Sequence, residues 1–323
     1  MTAALKTAFL FPGQGAQYPG MALDLLETGS AKVREIFETA SEIMGRDMAA
    51  LLRDTGAETL KQGDIAQPAL TLANLAAAAL LEERGIYPRA CAGHSLGEYA
   101  ALSASGVISP ADCLRLVKHR GAAMRRAVER AGAAQAAGMA AIIGLAPDLV
   151  EDLTARWRAE AGGAGAPAEI YAANFNSPRQ TVVSGSAAAL ALAGERFLAA
   201  GARRVVALQV AGPFHSPLMA GAAEEFHPVL EETPFHDPSI PVYSNVTGKR
   251  IGSGAEAKKL ALEQITAPVR WTAEEGALGE AGIDCALEAG PGRVLQGLWK
   301  DSGSALPCYG AGTVAEIEKL FEH

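Results

Sequence analysis

Gly93-His94-Ser95-Leu96-Gly97 constrains this chain more than any other stretch. The pattern G-x-S-x-G needs a backbone that reverses within a few residues. Tyr87-Pro88-Arg89-Ala90-Cys91-Ala92 ahead of it reads as a short strand, and Glu98-Tyr99-Ala100-Ala101-Leu102 behind it forms helix. A serine on a sharp strand-to-helix bend has its hydroxyl pushed out of the sheet, and the free N–H groups of the helix N-terminus face an oxyanion. Glycine is required on both sides because a side chain would clash at so tight a turn. Ser95 is therefore the candidate nucleophile.

The rest of the chain reads as α/β. Thr7–Phe11 is a strand ending in Pro12-Gly13-Gln14-Gly15, followed by helices over about 31–44 and 68–84. Ser109-Pro110 opens another helix, serine as N-cap and proline at the first helical position. Residues 131–138 are small and weakly patterned and mark a crossing into a second unit. That unit reads as strand 139–145, helix 147–160, a Gly/Ala/Pro loop at 161–167, strands 169–173 and 180–184, helix 187–200 and strand 203–209. The order β-α-β-β-α-β is the split, ferredoxin-like arrangement. The chain then returns to the first unit, with Ile240–Ser244 and Asp284–Glu288 as further strands. The expected division is a large domain of residues 1–134 and 209–323 holding a parallel sheet, with a small ferredoxin-like domain of 135–208 inserted in it.

Composition narrows the function classes. With 323 residues, 49% hydrophobic and 20% charged, the chain buries a sizeable core. No apolar run is long enough to span a bilayer; the nearest, Leu70–Leu81, contains Thr71 and Asn74 and reads as a buried helix. No secretory signal is expected at the N-terminus. Cys91, Cys113, Cys285 and Cys308 lack C-x-x-C spacing, which predicts reduced thiols in a cytoplasmic protein without a metal site. Asn245-Val246-Thr247 matches a glycosylation sequon that stays idle without export. A net charge of −8 argues against nucleic acid as a partner. Gly13-Gln14-Gly15 and Gly290-Pro291-Gly292 do not continue as G-x-G-x-x-G, so dinucleotide binding is set aside.

A serine nucleophile needs a base. Of six histidines, His323 is terminal, and His227 and His236 lie in polar, proline-punctuated stretches. His94 is adjacent to Ser95, so its side chain points the other way. His215, in Gly212-Pro213-Phe214-His215-Ser216-Pro217, follows the last strand of the small unit and is the best candidate. On the helix after Pro110, Leu114, Val117, Gly121, Met124 and Val128 form an apolar stripe on which Arg120 also lies. A buried arginine needs an anion. A structural salt bridge, a side chain snorkelling to water and a clamp on a substrate carboxylate all satisfy that need.

Phe11-Pro12-Gly13-Gln14-Gly15, Gly93 to Tyr99, Lys118-His119-Arg120-Gly121, Asn174-Phe175-Asn176-Ser177-Pro178, Gly212 to Met219 and Glu288-Ala289-Gly290-Pro291-Gly292 occur in the order seen in malonyl-CoA:acyl-carrier-protein transacylases. The chain resembles that family from about Ala8 to Gly297. The resemblance implies an α/β-hydrolase-like large domain and a site between the two domains. It implies Ser95 as nucleophile, His215 as base, and the backbone N–H groups of Gln14 and Leu96 as oxyanion hole. It assigns Arg120 to the malonyl carboxylate and Asn174 and Gln67 to the pocket lining. Phe214, an aromatic residue just before the histidine, goes with malonyl over methylmalonyl in related acyltransferases. A backbone carbonyl from Ala267-Pro268-Val269-Arg270-Trp271 is expected to orient His215.

The implied reaction moves malonyl from malonyl-CoA to the phosphopantetheine thiol of holo acyl carrier protein, for fatty acid synthesis, with no cofactor and no membrane partner. A loading acyltransferase of a polyketide pathway and a serine hydrolase or thioesterase are the alternatives. The hydrolase would have an acidic triad member. An acidic carrier would need a local basic face. Arg115, Lys118, Arg125, Arg126 and Arg130, Arg203-Arg204 and Lys249-Arg250 are the candidate clusters.

Overall fold

The Thr7–Phe11 segment carries no polar residue after Thr7, as suits a strand covered on both faces. In the computed structural model, which describes residues 5–131, 137–160, 169–210 and 212–322, it is the inner strand β1. Phe9 and Phe11 face one core and Ala8 and Leu10 the other, as the two-residue repeat of a strand requires. β1 pairs in parallel with β2 (Pro88–Gly93) and with a later strand, Cys285–Glu288. Counting along the chain, β3 is Ala137–Ile143, β4 Ile170–Ser177, β5 Gln180–Ser186, β6 Arg204–Ala207, β7 Cys285–Glu288 and β8 Cys308–Gly310. The first sheet has the order β2-β1-β7-β8 and is parallel throughout. The second has the order β4-β5-β3-β6 and is antiparallel throughout. Helices Pro147–Glu160 and Ala187–Ala199 pack on the second sheet around Trp157, Phe197 and Ile142.

The helix Pro110–Ala131 begins as the sequence predicts. The Ser109 hydroxyl accepts from Asp112 N–H at 3.0 Å and donates to the Asp112 carboxylate at 2.6 Å. The predicted helix at 68–84 starts earlier, at Gly63, with Pro68 inside it. By length and composition this helix could cross a membrane, yet 89% of its apolar window is buried inside the fold. Ile240–Ser244 is not a strand. Only Val242 bridges to β2, through Cys91, because Pro241 has no N–H to give and the chain turns away at Thr247-Gly248. β8, three residues with Tyr309 exposed, has no sequence signature. Most of the predicted crossing at 131–138 (residues 132–136) and the whole loop at 161–167 lie outside the described residues.

The bend after β2 is packed backbone on backbone. A Cβ at Gly97 would stand 1.9 Å from the Phe11 carbonyl oxygen, and one at Gly93 would stand 2.1 Å from the Gly97 carbonyl. Gly97→Ala must push the helix Gly97–Ala104 off β1, and is expected to lower stability by about 1–3 kcal/mol. Gly276→Ala, in open space on the helix Trp271–Gly279, is expected to be neutral or stabilising. Denaturant midpoints check the pair, and a parental midpoint for Gly97→Ala would contradict the packing.

Candidate active site

Ser95 sits on that bend with φ +51°, in the left-handed region that non-glycine residues rarely occupy. Gly97 N–H closes the turn onto the His94 carbonyl at 2.9 Å, and Ser95 N–H is held by Asn245 Oδ1 at 2.7 Å. The Ser95 hydroxyl is thereby set 2.6 Å from His215 Nε2. Gly13 lies so close to the bend that a Cβ would stand 2.3 Å from the His94 carbonyl oxygen. This brings the Pro12-Gly13-Gln14 turn beside Ser95. Neither Gln14 N–H nor Leu96 N–H finds an acceptor among the described residues.

His215 is also left-handed, with φ +57°. Its Nδ1 lies 2.9 Å from the Gln264 backbone oxygen. A carbonyl only accepts, so Nδ1 carries the proton and Nε2 presents a lone pair to Ser95. The sequence places the orienting carbonyl within Ala267–Trp271; the Ala267 backbone makes a lesser contact, and the carbonyl at hydrogen-bond distance from Nδ1 is that of Gln264. Gln264 caps the helix Gly254–Glu263, and helix ends leave carbonyls without intrahelical partners. Val269, within the expected segment, lies beside β4, with Val269 N–H on the Ala173 carbonyl at 2.8 Å. Arg270 pairs with Glu151 at 3.5 Å and covers the Phe175 ring at 5.2 Å. Among the described residues no carboxylate contacts His215. Burial, then the charge of Arg120, pushes His215 down to about 3, so the ring is neutral.

Three other histidines, His94, His227 and His236, lie apart from the Ser95 hydroxyl as expected. His94 turns away from Ser95, with Nε2 on Asn176 Oδ1 at 2.8 Å and its ring edge-on to Trp271. His227 pairs with Glu231 at the surface, and His236 is exposed.

Arg120 is 1% exposed, which removes the snorkelling alternative. No carboxylate lies within 4.0 Å of it among the described residues, which removes the salt bridge. Its Nη1 donates to Gln67 Oε1 at 2.9 Å and its Nη2 to Gln264 Oε1 at 3.1 Å. Its Nε has no partner. The guanidinium lies 5.5 Å from the centroid of the Tyr99 ring. The nearby Glu98 carboxyl is pushed up to about 8 by burial, so at neutral pH it is a weak counter-charge. Arg120 is thus a buried cation held by two neutral amides, with one donor unused among the described residues.

Gln264 is the residue that sequence reasoning missed. Its carbonyl holds His215, its Oε1 holds Arg120, and its Nε2 donates to the Ser95 carbonyl at 2.9 Å and to Glu98. Gln67 joins Arg120 as expected. Phe214 is half-buried against the cluster of Met139, Ala141, Ala173 and Val182. Asn174 is buried on β4 beside Val269 but hydrogen-bonds neither Ser95 nor His215; the asparagine that reaches the bend is Asn176, through His94. The basic helix is largely neutralised. Arg115 pairs with Asp112, Arg125 with Asp64 and Glu129, and Arg126 and Arg130 with Glu225, while Lys118 donates to the Ile43 carbonyl. Arg203-Arg204 and Lys249-Arg250 have no acidic partner among the described residues.

Comparison with known proteins shows the family. The acyl transferase domain family matches residues 8–305. The malonyl CoA-acyl carrier protein transacylase of Bacillus subtilis (strain 168) is 39% identical over 295 residues, covering 91% of this chain and 90% of that protein. The crystal structure of an acyl carrier protein S-malonyltransferase from Vibrio cholerae superposes with a TM-score of 0.89 at 37% identity, over 98% of this chain and 99% of that one. A malonyl-transacylase solved in complex with its type II PKS acyl-carrier protein superposes with a TM-score of 0.88 at 36% identity, over 98% and 99% of the two chains. The chain belongs to the acyl transferase family and, within it, to the malonyl-CoA:acyl-carrier-protein transacylases.

Proposed function

We propose that the enzyme moves a malonyl group from malonyl-CoA to the phosphopantetheine thiol of acyl carrier protein, through a malonyl ester on Ser95. The observation that carries this reading is the buried, carboxylate-free guanidinium of Arg120, linked by one glutamine to both Ser95 and His215. A dicarboxylic acyl group supplies the missing anion at one end and the thioester at the other.

His215 Nε2 takes the proton of the Ser95 hydroxyl as Oγ attacks the thioester carbonyl. The N–H groups of Gln14 and Leu96, both without acceptors among the described residues, bind the oxyanion; each such donor contributes about 3–4 kcal/mol to lowering a barrier of this kind. His215 then returns its proton to the departing CoA thiolate. In the second half-reaction His215 accepts the proton of the carrier's thiol, whose sulfur attacks the ester, and the proton passes back to Ser95. No cofactor enters either half. Arg120 fixes the malonyl carboxylate through both, so a thiol reaches the ester better than water does. Phe214 crowds a 2-methyl branch and favours malonyl, and Asn174 and Gln67 line the pocket.

We further assign residues 135–208 to a ferredoxin-like domain inserted in an α/β-hydrolase-like domain of residues 1–134 and 209–323. The antiparallel order β4-β5-β3-β6 and the parallel sheet support that assignment. Four free cysteines fit a cytoplasmic enzyme. Fatty acid synthesis is the favoured pathway. The likeness to a transacylase of a type II PKS carrier supports loading of a polyketide carrier as the second reading.

Arg120→Ala is expected to lose malonyl transfer by about 10²-fold or more while gaining relative activity on uncharged acyl-CoAs. Steady-state rates with malonyl-CoA and acetyl-CoA decide this, and equal loss on both would refute the clamp. The working form of His215 is neutral, and its pKa is lowered from the ordinary 6.5. Protonation of the base therefore sets in at lower pH than for a free imidazole. The acid limb of kcat/KM for malonyl-CoA is expected below pH 6.5, and an inflection at or above that value would contradict the buried, neutral base.

A further inference from the structure

Asn245 heads the triplet that reads as a glycosylation sequon, yet it is fully buried beneath the Ser95 bend. Its Oδ1 accepts from Ser95 N–H at 2.7 Å and from Gln264 Nε2 at 3.2 Å. Its Nδ2 donates to the Gly93 carbonyl at 2.7 Å and to Glu274 Oε1 at 2.8 Å. Both protons and one lone pair of the carboxamide are fully used, and the second lone pair shares Gln264 Nε2, whose two protons also serve the Ser95 carbonyl and Glu98. Donors stand on one side of the amide and acceptors on the other, which fixes its direction. No other side chain of this size offers both. The two backbone groups it holds, Gly93 C=O and Ser95 N–H, stand on either side of His94 and span the bend.

We propose that Asn245 is a positioning residue for the transfer reaction, tying the two flanks of the bend together so that Ser95 stays left-handed with its hydroxyl on His215. This rests on Ser95 being the acylated nucleophile. Ser95 is strained at φ +51° and must be over-determined by its surroundings to stay there. Asn245 is the acceptor of its N–H among the described residues. Glu274 holds the amide in its direction. Burial, then the nearby Glu98, keeps the Glu274 carboxyl well above the usual carboxylate range, so it accepts without placing a full negative charge under the nucleophile.

The test is single-turnover acylation of Ser95 by malonyl-CoA and by p-nitrophenyl acetate, which needs no Arg120. Asn245→Ala is expected to slow acylation by both about 10²-fold, because small misplacements of a reacting group cost that much. The KM for malonyl-CoA should stay within about twofold. Asn245→Asp keeps an acceptor for Ser95 N–H but sets a carboxylate against Gly93 C=O and Glu274. Its rate relative to Asn245→Ala should rise as pH falls, when the new carboxyl gains a proton to donate. Glu98, Glu274, His215 and the Arg120 cation face or neighbour the new carboxyl, so the ratio reports its titration as a member of that coupled group. A folded Asn245→Ala enzyme that acylates within about threefold of the parent would overturn the proposal. Should that variant not fold, Asn245→Asp decides alone against the parent: a deficit that closes as pH falls is expected, and a parental rate or a pH-independent deficit would overturn it. If the parent itself is not acylated at Ser95, the assigned function fails instead.

Discussion

Ser95 Oγ and His215 Nε2 meet at 2.6 Å, the contact on which the proposed nucleophile depends, and neither residue would reach that geometry by ordinary backbone preference. Both have positive φ, a conformation that costs a non-glycine residue about 1–2 kcal/mol. The surrounding fold holds them there. On the serine side, Gly93, Gly97 and Gly13 let three backbone segments approach to distances that no Cβ would allow. On the histidine side, the end of one helix supplies the Gln264 carbonyl that fixes the tautomer. A carbonyl does this work without a carboxylate, so no negative charge is buried beside a base that must stay neutral.

Charge sets the second constraint. Burying Arg120 with no carboxylate in contact among the described residues is costly, and the proposed binding of an acyl carboxylate would offset that cost. Gln67 and Gln264 satisfy part of the guanidinium with neutral oxygens and leave the full positive charge available. Because Gln264 also touches Ser95 and orients His215, the clamp and the reacting pair share one support. In the proposed reaction, seating of the acyl carboxylate is thus mechanically close to the bond that breaks.

Much of this was legible in the residues. The G-x-S-x-G spacing marked the bend, and the place of Arg120 between Val117 and Met124 on an apolar stripe marked it as buried. His215 emerged by its position after the last strand of the small unit. What the sequence hid has physical causes. The His215 partner is a backbone carbonyl, which any residue type supplies, so no side-chain pattern flags Gln264, and resemblance pointed to Ala267–Trp271 instead. Asn245 lay inside a triplet whose obvious meaning was another. Residues 240–244 have strand composition, but Pro241 and the turn at Gly248 leave them two isolated bridges, Val242 to Cys91 and Tyr243 to Arg250. Of the acidic partners of the basic helix, Asp112 and Glu129 are local, whereas Asp64 and Glu225 are distant in sequence and meet it only in the fold.

Intact-mass analysis of the enzyme after mixing with malonyl-CoA, before and after adding holo acyl carrier protein, tests the central claim most directly. The account predicts one malonyl group on the parent enzyme, absent from Ser95→Ala, that leaves when the carrier is added and appears on the carrier. A Ser95→Ala enzyme that still loads the carrier at the parental rate would contradict it.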